Sequence, residues 1–109
     1  MKKSILSVLL FIISFTSTGQ IEVKYFNAAW NSANEIEWVD KLTDCEIEKY
    51  DIGANPADAG KYKVVVVPTI LIFQDGEEVE RYQADISFKM SATREEVQDE
   101  IDELIMSAF

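Results

Sequence analysis

The stretch VVVVPTILIFQ, residues 64–74, constrains the fold of this chain more than any other feature. A near-continuous run of β-branched and other apolar residues is typical of a strand buried on both faces in the middle of a sheet. Proline cannot donate a hydrogen bond to a neighbouring strand, so we expect the strand to begin after it, at Thr69. The next pair, Asp75-Gly76, is typical of a tight turn into an antiparallel strand. The sequence therefore predicts a central β-hairpin.

Strand and helix patterns alternate on both sides of this hairpin. Alternating apolar and polar residues predict strands, and apolar residues at helical spacing predict helices. Two of the helices begin with an S/T-x-x-E pattern, in which the hydroxyl and the carboxylate each bind a free backbone N–H. The predicted elements are strands at residues 21–26, at 46–52, from Thr69 and after Gly76, and helices at residues 32–42 (Ser32 with Glu35), within 53–62 and from Thr93 (with Glu96). This order predicts a single α/β domain.

The first nineteen residues have the features of a secretory signal peptide. They contain two lysines, an apolar run from Ile5 to Phe15 and a small polar stretch that ends in TSTG. A bilayer-spanning helix needs about 20 apolar residues, more than this run contains. We therefore expect residues 1–19 to be a removable signal peptide, residues 20–109 to form the mature domain, and the protein to be periplasmic or secreted. A permanent membrane anchor is the alternative.

The charge of the chain excludes several classes of partner. It has 10 basic and 20 acidic residues and no histidine, and its net charge is −10. Loss of residues 1–19 with their two lysines would leave 8 basic and 20 acidic residues, a net charge of −12. Phosphates and anionic lipids repel such a protein, so we expect no nucleic acid partner and, after signal removal, no membrane partner. Because histidine is the commonest metal ligand, we also expect no metal and no cofactor.

This element order resembles the thioredoxin family over roughly residues 21–106. Three segments carry the resemblance: AAW before the first helix, ANPADAGKYKVVVVPT before the central strand, and ILIFQDGEEV at the hairpin. The resemblance implies a three-layer sandwich in which a mixed central sheet is flanked by helices. It also implies a cis bond between Val67 and Pro68, although most X-Pro bonds are trans.

The residues that carry the chemistry of the family are replaced in this chain. The family reduces disulfides with a thiol at the exposed N-terminus of its first helix and a second thiol three residues later. The matching positions are Asn31 and Asn34. A side-chain amide cannot act as a thiolate, so we expect a protein that is not an enzyme. The buried acid that the family commonly keeps nearby is replaced by Tyr25, while Lys49 stands where the family often places the partner of that acid.

The peptide-binding surface of the family has counterparts in this chain. In the family, an extended peptide lies beside the helix N-terminus and pairs with the backbone before the cis-proline. The matching residues are Trp30, Asn31, Asn34, Val67 and Pro68. We therefore expect a non-catalytic binding or scaffold module that holds an extended segment of a protein partner in the exported compartment. Asn31 as a helix cap and Trp30 as part of the core are the alternatives for single residues.

Cys45 is the single cysteine of the chain. It continues the apolar stripe of the first predicted helix, so a buried, unreactive thiol is the default expectation. Asp44 and Glu46 would raise its pKa and slow its attack on a disulfide. One alternative function is a redox protein that works through mixed disulfides of Cys45. Another is a structural subunit that uses the final helix or an exposed sheet edge as its contact.

Overall fold

The computed structural model describes residues 20–109; the expected signal peptide, residues 1–19, lies outside the described residues. The described residues form four β-strands, two α-helices and two short 3-10 helices. The strands are β1 (Ile21–Asn27), β2 (Glu46–Asp51), β3 (Thr69–Gln74) and β4 (Glu77–Gln83), and the helices are α1 (Pro56–Tyr62), α2 (Arg94–Ser107) and the 3-10 helices Ala29–Asn34 and Glu37–Lys41. Within residues 20–109, no helix is both long and apolar enough to span a membrane.

The strands form one mixed sheet in the order β2-β1-β3-β4. β1 is parallel to β2 and antiparallel to β3, and β3 is antiparallel to β4. The prediction for the central strand is confirmed, because β3 begins at Thr69 and its first four residues, through Ile72, are fully buried. These strand directions bring the loops after β1, after β2, before β3 and after β4 to one end of the sheet, which we call the loop end.

Helices cover both faces of the sheet and complete the three-layer α/β sandwich. On one face, Val97 and Ile101 of α2 and Val39 of the second 3-10 helix pack against Val23 of β1. On the other face, α1 and the segment before β3 pack against Phe26. Successive residues of β1 point to opposite faces, so a single strand contributes to both cores. The predicted fold class is therefore confirmed.

Lys24 is buried although it lies at a polar position of the alternating pattern. Its ammonium lies 5.3 to 5.7 Å from the ring centroids of Tyr50, Tyr62 and Phe73 and 2.7 Å from a carboxylate oxygen of Glu48. The rings cover the aliphatic part of the lysine, and the carboxylate neutralises its charge. This pairing closes the sheet face beneath α1 without exposing the amine to solvent.

The first predicted α-helix is wrong in type. Instead of one α-helix, residues 32–42 contain the end of the first 3-10 helix and the whole of the second. The two are separated by extended backbone at Glu35, where φ is −62° and ψ is 137°. Ser32 does not form the predicted cap. The corresponding prediction for α2 is confirmed, because the Glu96 N–H donates a 3.2 Å hydrogen bond to Thr93 Oγ1. The same sequence pattern therefore forms a cap at one position and not at the other.

Contacts with β1 explain why the first helix is broken. Asn27 Nδ2 donates a 2.7 Å hydrogen bond to Glu35 Oε1, which removes this carboxylate from any role in a helix cap. The Ile36 N–H donates a 2.9 Å hydrogen bond to the Tyr25 hydroxyl rather than to a helical carbonyl. In a continuous helix the Glu35 side chain would bind the helix cap and the Ile36 N–H would bind a helical carbonyl, so both contacts with β1 would be lost. Tertiary hydrogen bonds thus override the local helical pattern.

Candidate functional site

The loops at the loop end bring the predicted partner-binding residues together. Asn31 Nδ2 lies 3.5 Å from the Val67 carbonyl oxygen, so the first 3-10 helix touches the loop before β3. The Ala84 N–H donates a 3.0 Å hydrogen bond to the Pro68 carbonyl, which joins that loop to the segment after β4. Trp30 precedes Asn31 directly. The tryptophan and the proline therefore lie at the same end of the molecule.

Solvent exposure divides these residues into an outer and an inner layer. Trp30 is 65% exposed, and its ring meets the ring of Phe88 edge-on with the centroids 5.4 Å apart. Asn31 is only 4% exposed, and Val67 and Pro68 are buried as well. A partner can touch the indole directly, whereas the side chain of Asn31 supports the surface from below. The exposure of Trp30 excludes the alternative that it belongs to the core.

The loop before β3 offers backbone groups at the same end of the molecule as Trp30. The Val67-Pro68 peptide bond is cis, as the resemblance implies. The Thr69 hydroxyl donates a 2.8 Å hydrogen bond to the Val66 carbonyl and ties the loop to the start of β3. Within residues 20–109, the Val67 N–H has no hydrogen-bond acceptor. A backbone N–H of this kind requires water or a partner strand to accept its hydrogen bond.

A chain of hydrogen-bonded side chains occupies the positions that hold thiols in the family. Asn34 Nδ2 donates to Asn31 Oδ1 at 2.9 Å, and Asn31 Nδ2 donates to Asn27 Oδ1 at 3.0 Å. The Asn27 amide then donates to Glu35 at 2.7 Å. We call these four residues the amide chain. Asn31 Oδ1 accepts from a side-chain amide and not from a backbone N–H of the following turn, so Asn31 does not form a helix cap.

Asn27 is a central member of the amide chain that was not predicted as a site residue. It is the last residue of β1 and is 5% exposed. Its carboxamide accepts from Asn31 and donates to Glu35, so its removal would leave the buried Asn31 Nδ2 with only the 3.5 Å contact to the Val67 carbonyl. The signal in the sequence was an asparagine that follows the buried aromatic pair Tyr25-Phe26 at the end of β1, directly before the AAW loop.

The groups at the remaining family positions do not supply acid-base chemistry. Tyr25 is buried, and burial together with the nearby Glu35 carboxylate raises the pKa of its hydroxyl to about 12. The phenol is therefore neutral at physiological pH. The Lys49 ammonium lies 2.7 Å from an Asp40 carboxylate oxygen, and both side chains are largely exposed, so this pair contributes little to stability.

Cys45 lies far from the predicted binding residues. It precedes the amino end of β2, and because β2 is parallel to β1, this end of the sheet is opposite the loop end. The side chain is half-buried and packs against the core. Burial, with a smaller contribution from the Asp44 carboxylate, raises the pKa of the thiol to about 11. This environment supports the expectation of an unreactive thiol.

We expect Cys45 to react with iodoacetamide at pH 8 about a hundredfold more slowly in the folded protein than in urea, because only the thiolate attacks and its pKa rises from 9.0 to about 11 on folding. The rate is measured by mass spectrometry of quenched samples. The same shift predicts that the free energy of unfolding falls as the pH rises from about 9 to about 11. Over this interval the thiol of the unfolded chain has lost its proton while that of the folded chain still holds it. Equal rates in the two states would contradict the assignment of a protected thiol.

The comparisons with known proteins agree with this geometry. No family model matches the chain. It is 44% identical to a thioredoxin from Staphylococcus epidermidis over 36 residues, 33% of this chain and 35% of that protein. It is 38% identical to a thioredoxin from Mycobacterium tuberculosis over 42 residues, 38% of this chain and 36% of the relative. The matched part thus spans about a third of the length of these curated relatives.

Similarity to solved structures extends over most of the described residues. A thioredoxin variant from Halobacterium salinarum matches with a TM-score of 0.63 and 27% identity, covering 79% of this chain and 75% of the other. A thioredoxin from Fasciola hepatica matches with a TM-score of 0.53 and 25% identity, covering 94% and 91%. The chain therefore has the thioredoxin fold, and about a third of it is similar in sequence to thioredoxins.

Proposed function

We propose that this chain is an exported thioredoxin-fold protein that lacks the redox-active cysteine pair and acts as a non-catalytic module that binds an extended segment of a partner protein. The observation that carries the proposal is the combination at the loop end. The thiol positions are occupied by amides that bind one another, while an exposed tryptophan stands beside the cis-proline loop. The parts needed for electron transfer are replaced, and the parts needed for peptide contact are present.

The bound segment would lie across the surface between Trp30 and the loop before β3, which we call the groove. The Val67 N–H would donate to a carbonyl of the segment, as when an extended peptide adds a strand to a sheet. Trp30 would supply the apolar contact area, together with Phe88, which packs against it. Tryptophan is enriched among the residues that contribute most to protein interfaces. Asn31 and Asn34 would keep this surface in one conformation.

Selection of peptides with a Trp30→Ala control tests the proposal. Short random peptides are displayed on phage and selected on the chain without residues 1–19. We expect selected peptides to bind Trp30→Ala at least about tenfold more weakly, since loss of a central interface tryptophan commonly costs more than 1.4 kcal/mol. They should also slow hydrogen exchange of the Val67 amide.

Phe109→Ala is the matched control for this experiment. Phe109 is a fully exposed aromatic residue that follows the carboxyl end of α2. Gln74 Nε2 donates to the Leu104 carbonyl, which places this end of α2 beside the end of β3 that lies opposite the loop end. The variant should therefore bind as the parent does. Equal losses in the two variants, or no change in either, would contradict the proposed groove.

The rival function, redox chemistry through Cys45, predicts a different result. Mixed disulfides would appear as a shifted band in non-reducing electrophoresis of the exported fraction and would be absent in Cys45→Ser. The position of Cys45 opposite the loop end and the raised pKa of its thiol argue against this function. Amino-terminal sequencing of the protein from the same fraction tests export, with a new N-terminus near residue 20 as the expected result.

A further inference from the structure

The segment between β4 and α2 contains a tight turn that closes on its own hydrogen bonds. Asp85 Oδ1 accepts from the Ser87 hydroxyl at 2.6 Å, from the Ser87 N–H at 2.8 Å and from the Lys89 N–H at 3.2 Å. The Asp85 N–H donates to the Lys89 carbonyl, and the Phe88 N–H donates to the Asp85 carbonyl, each at 3.0 Å. The hydrogen bond from the Ser87 hydroxyl lowers the pKa of the Asp85 carboxyl, so this acceptor is ionised at physiological pH. We call residues 85–89 the Phe88 turn.

Phe88 has a backbone conformation that an aromatic residue does not favour. Its φ is 66°, in the left-handed region where glycine and asparagine are the usual residues. The other non-glycine residues with positive φ in the described part of the chain are all polar, namely Asp44, Lys63 and Asp75. A large aromatic residue in this conformation costs stability, and the hydrogen bonds of the Phe88 turn maintain it. The backbone therefore gives no reason for a phenylalanine here, so the reason lies with its ring.

The ring of Phe88 belongs to neither hydrophobic core of the described residues. It is 39% exposed and meets the Trp30 ring edge-on, with 5.4 Å between the centroids and 81° between the planes. Edge-to-face contacts of this kind are favourable between aromatic rings. The Phe88 ring therefore acts on Trp30 rather than on the packing of the interior.

The indole of Trp30 has few interactions that fix its orientation. Among the ring contacts and side-chain hydrogen bonds of the described residues, the contact with Phe88 is the only one that the indole makes. Its neighbour Gly53 offers no side chain, since a methyl group placed on this glycine would lie 3.8 Å from Trp30 Cδ1. An exposed side chain moves among its staggered rotamers unless a neighbour restricts it. The Phe88 ring is that neighbour.

We propose that the Phe88 turn positions Trp30 for partner binding, with Phe88 as the positioning residue. This inference rests on the proposed function, because a fixed orientation of Trp30 matters only if a segment binds against it. A surface whose side chains are already ordered loses less conformational entropy when the partner binds. The turn thus raises the affinity of the groove by restricting the indole before the partner arrives.

The mobility of the Trp30 indole tests the positioning role without any partner. The chain has two tryptophans, and ¹⁵N NMR relaxation gives the order parameter of each indole N–H, with Trp38, which packs against the core, as the internal control. We expect the Trp30 value to be near about 0.85 in the parent, as for rigid backbone, and to fall below about 0.6 in Phe88→Ala. Phe88→Tyr should restore the parent value because it keeps the ring. An indole that is equally ordered in the parent and in Phe88→Ala would overturn the inference.

Variants of Asp85 separate the turn from the ring. Asp85→Ala removes the side-chain acceptor of the turn and leaves the Phe88 ring in the chain, whereas Asp85→Asn keeps an acceptor oxygen. We expect Asp85→Ala to lower the order parameter of the Trp30 indole as Phe88→Ala does, and Asp85→Asn to stay near the parent. Ile86→Ala is the matched control, because Ile86 lies in the same turn, is 97% exposed and takes no part in these hydrogen bonds. It should leave the indole unchanged.

Peptide binding separates failure of this inference from failure of the proposed function. Peptides selected on the parent chain should bind Asp85→Ala about three- to tenfold more weakly, which matches the cost of ordering one side chain on binding. Peptides that depend on Trp30 yet bind Asp85→Ala as they bind the parent would overturn the positioning role and leave the groove supported. Peptides that are indifferent to Trp30→Ala would instead contradict the proposed function and remove the basis of the inference.

Discussion

We expect the double variant Asn31→Cys, Asn34→Cys to acquire insulin-reducing activity with dithiothreitol, at least about tenfold above the parent chain, because it restores an attacking and a resolving thiol. The parent chain should not exceed the rate of dithiothreitol alone. The side chains of Asn31 and Asn34 already touch, with 2.9 Å between Nδ2 and Oδ1, so the two positions direct their side chains toward each other. Turbidity of reduced insulin gives the rate.

The single variants are the controls for this gain of function. Asn31→Cys and Asn34→Cys alone should remain near the background rate, because neither contains a resolving thiol three residues away. The double variant should stay well below an ordinary thioredoxin, since Tyr25 stands where the family keeps its acid. Activity of the parent chain that disappears in Cys45→Ser would contradict the non-catalytic assignment and support the rival function.

We expect Asn27→Ala to lower the free energy of unfolding by about 2 to 3 kcal/mol, a large part of the 5 to 15 kcal/mol typical of a domain. The substitution removes the shorter of the two acceptor contacts of Asn31 Nδ2, which is buried and otherwise reaches only the Val67 carbonyl at 3.5 Å, and it removes the donor to Glu35. A buried amide that loses its partner bears most of its desolvation cost. Urea unfolding followed by circular dichroism measures the change.

Asn34→Ala is the matched comparison within the amide chain. Asn34 is half-buried and lies at the end of the chain, so its loss should cost no more than about 1 kcal/mol. The double variant Asn27→Ala, Asn31→Ala should be less destabilised than the sum of its single variants, because the second substitution removes the group that the first left without a partner. Strict additivity would show that the two side chains do not act as a unit.

Local sequence patterns predicted most of the fold. The apolar run that ends in β3, the turn at Asp75-Gly76 and the cap of α2 at Thr93 involve residues close together in the chain, and each is present in the structure. The resemblance to the thioredoxin family supplied the three-layer arrangement and the cis Val67-Pro68 bond, neither of which follows from periodicity. Local patterns suffice where neighbouring residues decide the conformation.

The sequence did not predict how the candidate site residues are organised. Trp30 and Pro68 lie at the same end of the molecule, and Asn31 between them is 4% exposed, with its side chain in the amide chain. The mistake at residues 32–42 has the same origin, because Asn27 draws the Glu35 carboxylate away from the predicted cap. A capping pattern is visible in the sequence, whereas a competing acceptor or donor from a neighbouring strand is not.

The sequence by itself determined that Cys45 is the single cysteine of this chain and that Asn31 and Asn34 stand where the resemblance to the thioredoxin family implies thiols. It also determined the order of strands and helices, which depends on patterns within each segment. Only the tertiary structure decided that Asn31 is shielded and that it meets the Val67 carbonyl 36 residues away. Burial and hydrogen bonding between distant residues depend on how the chain packs, and local patterns contain no record of that packing.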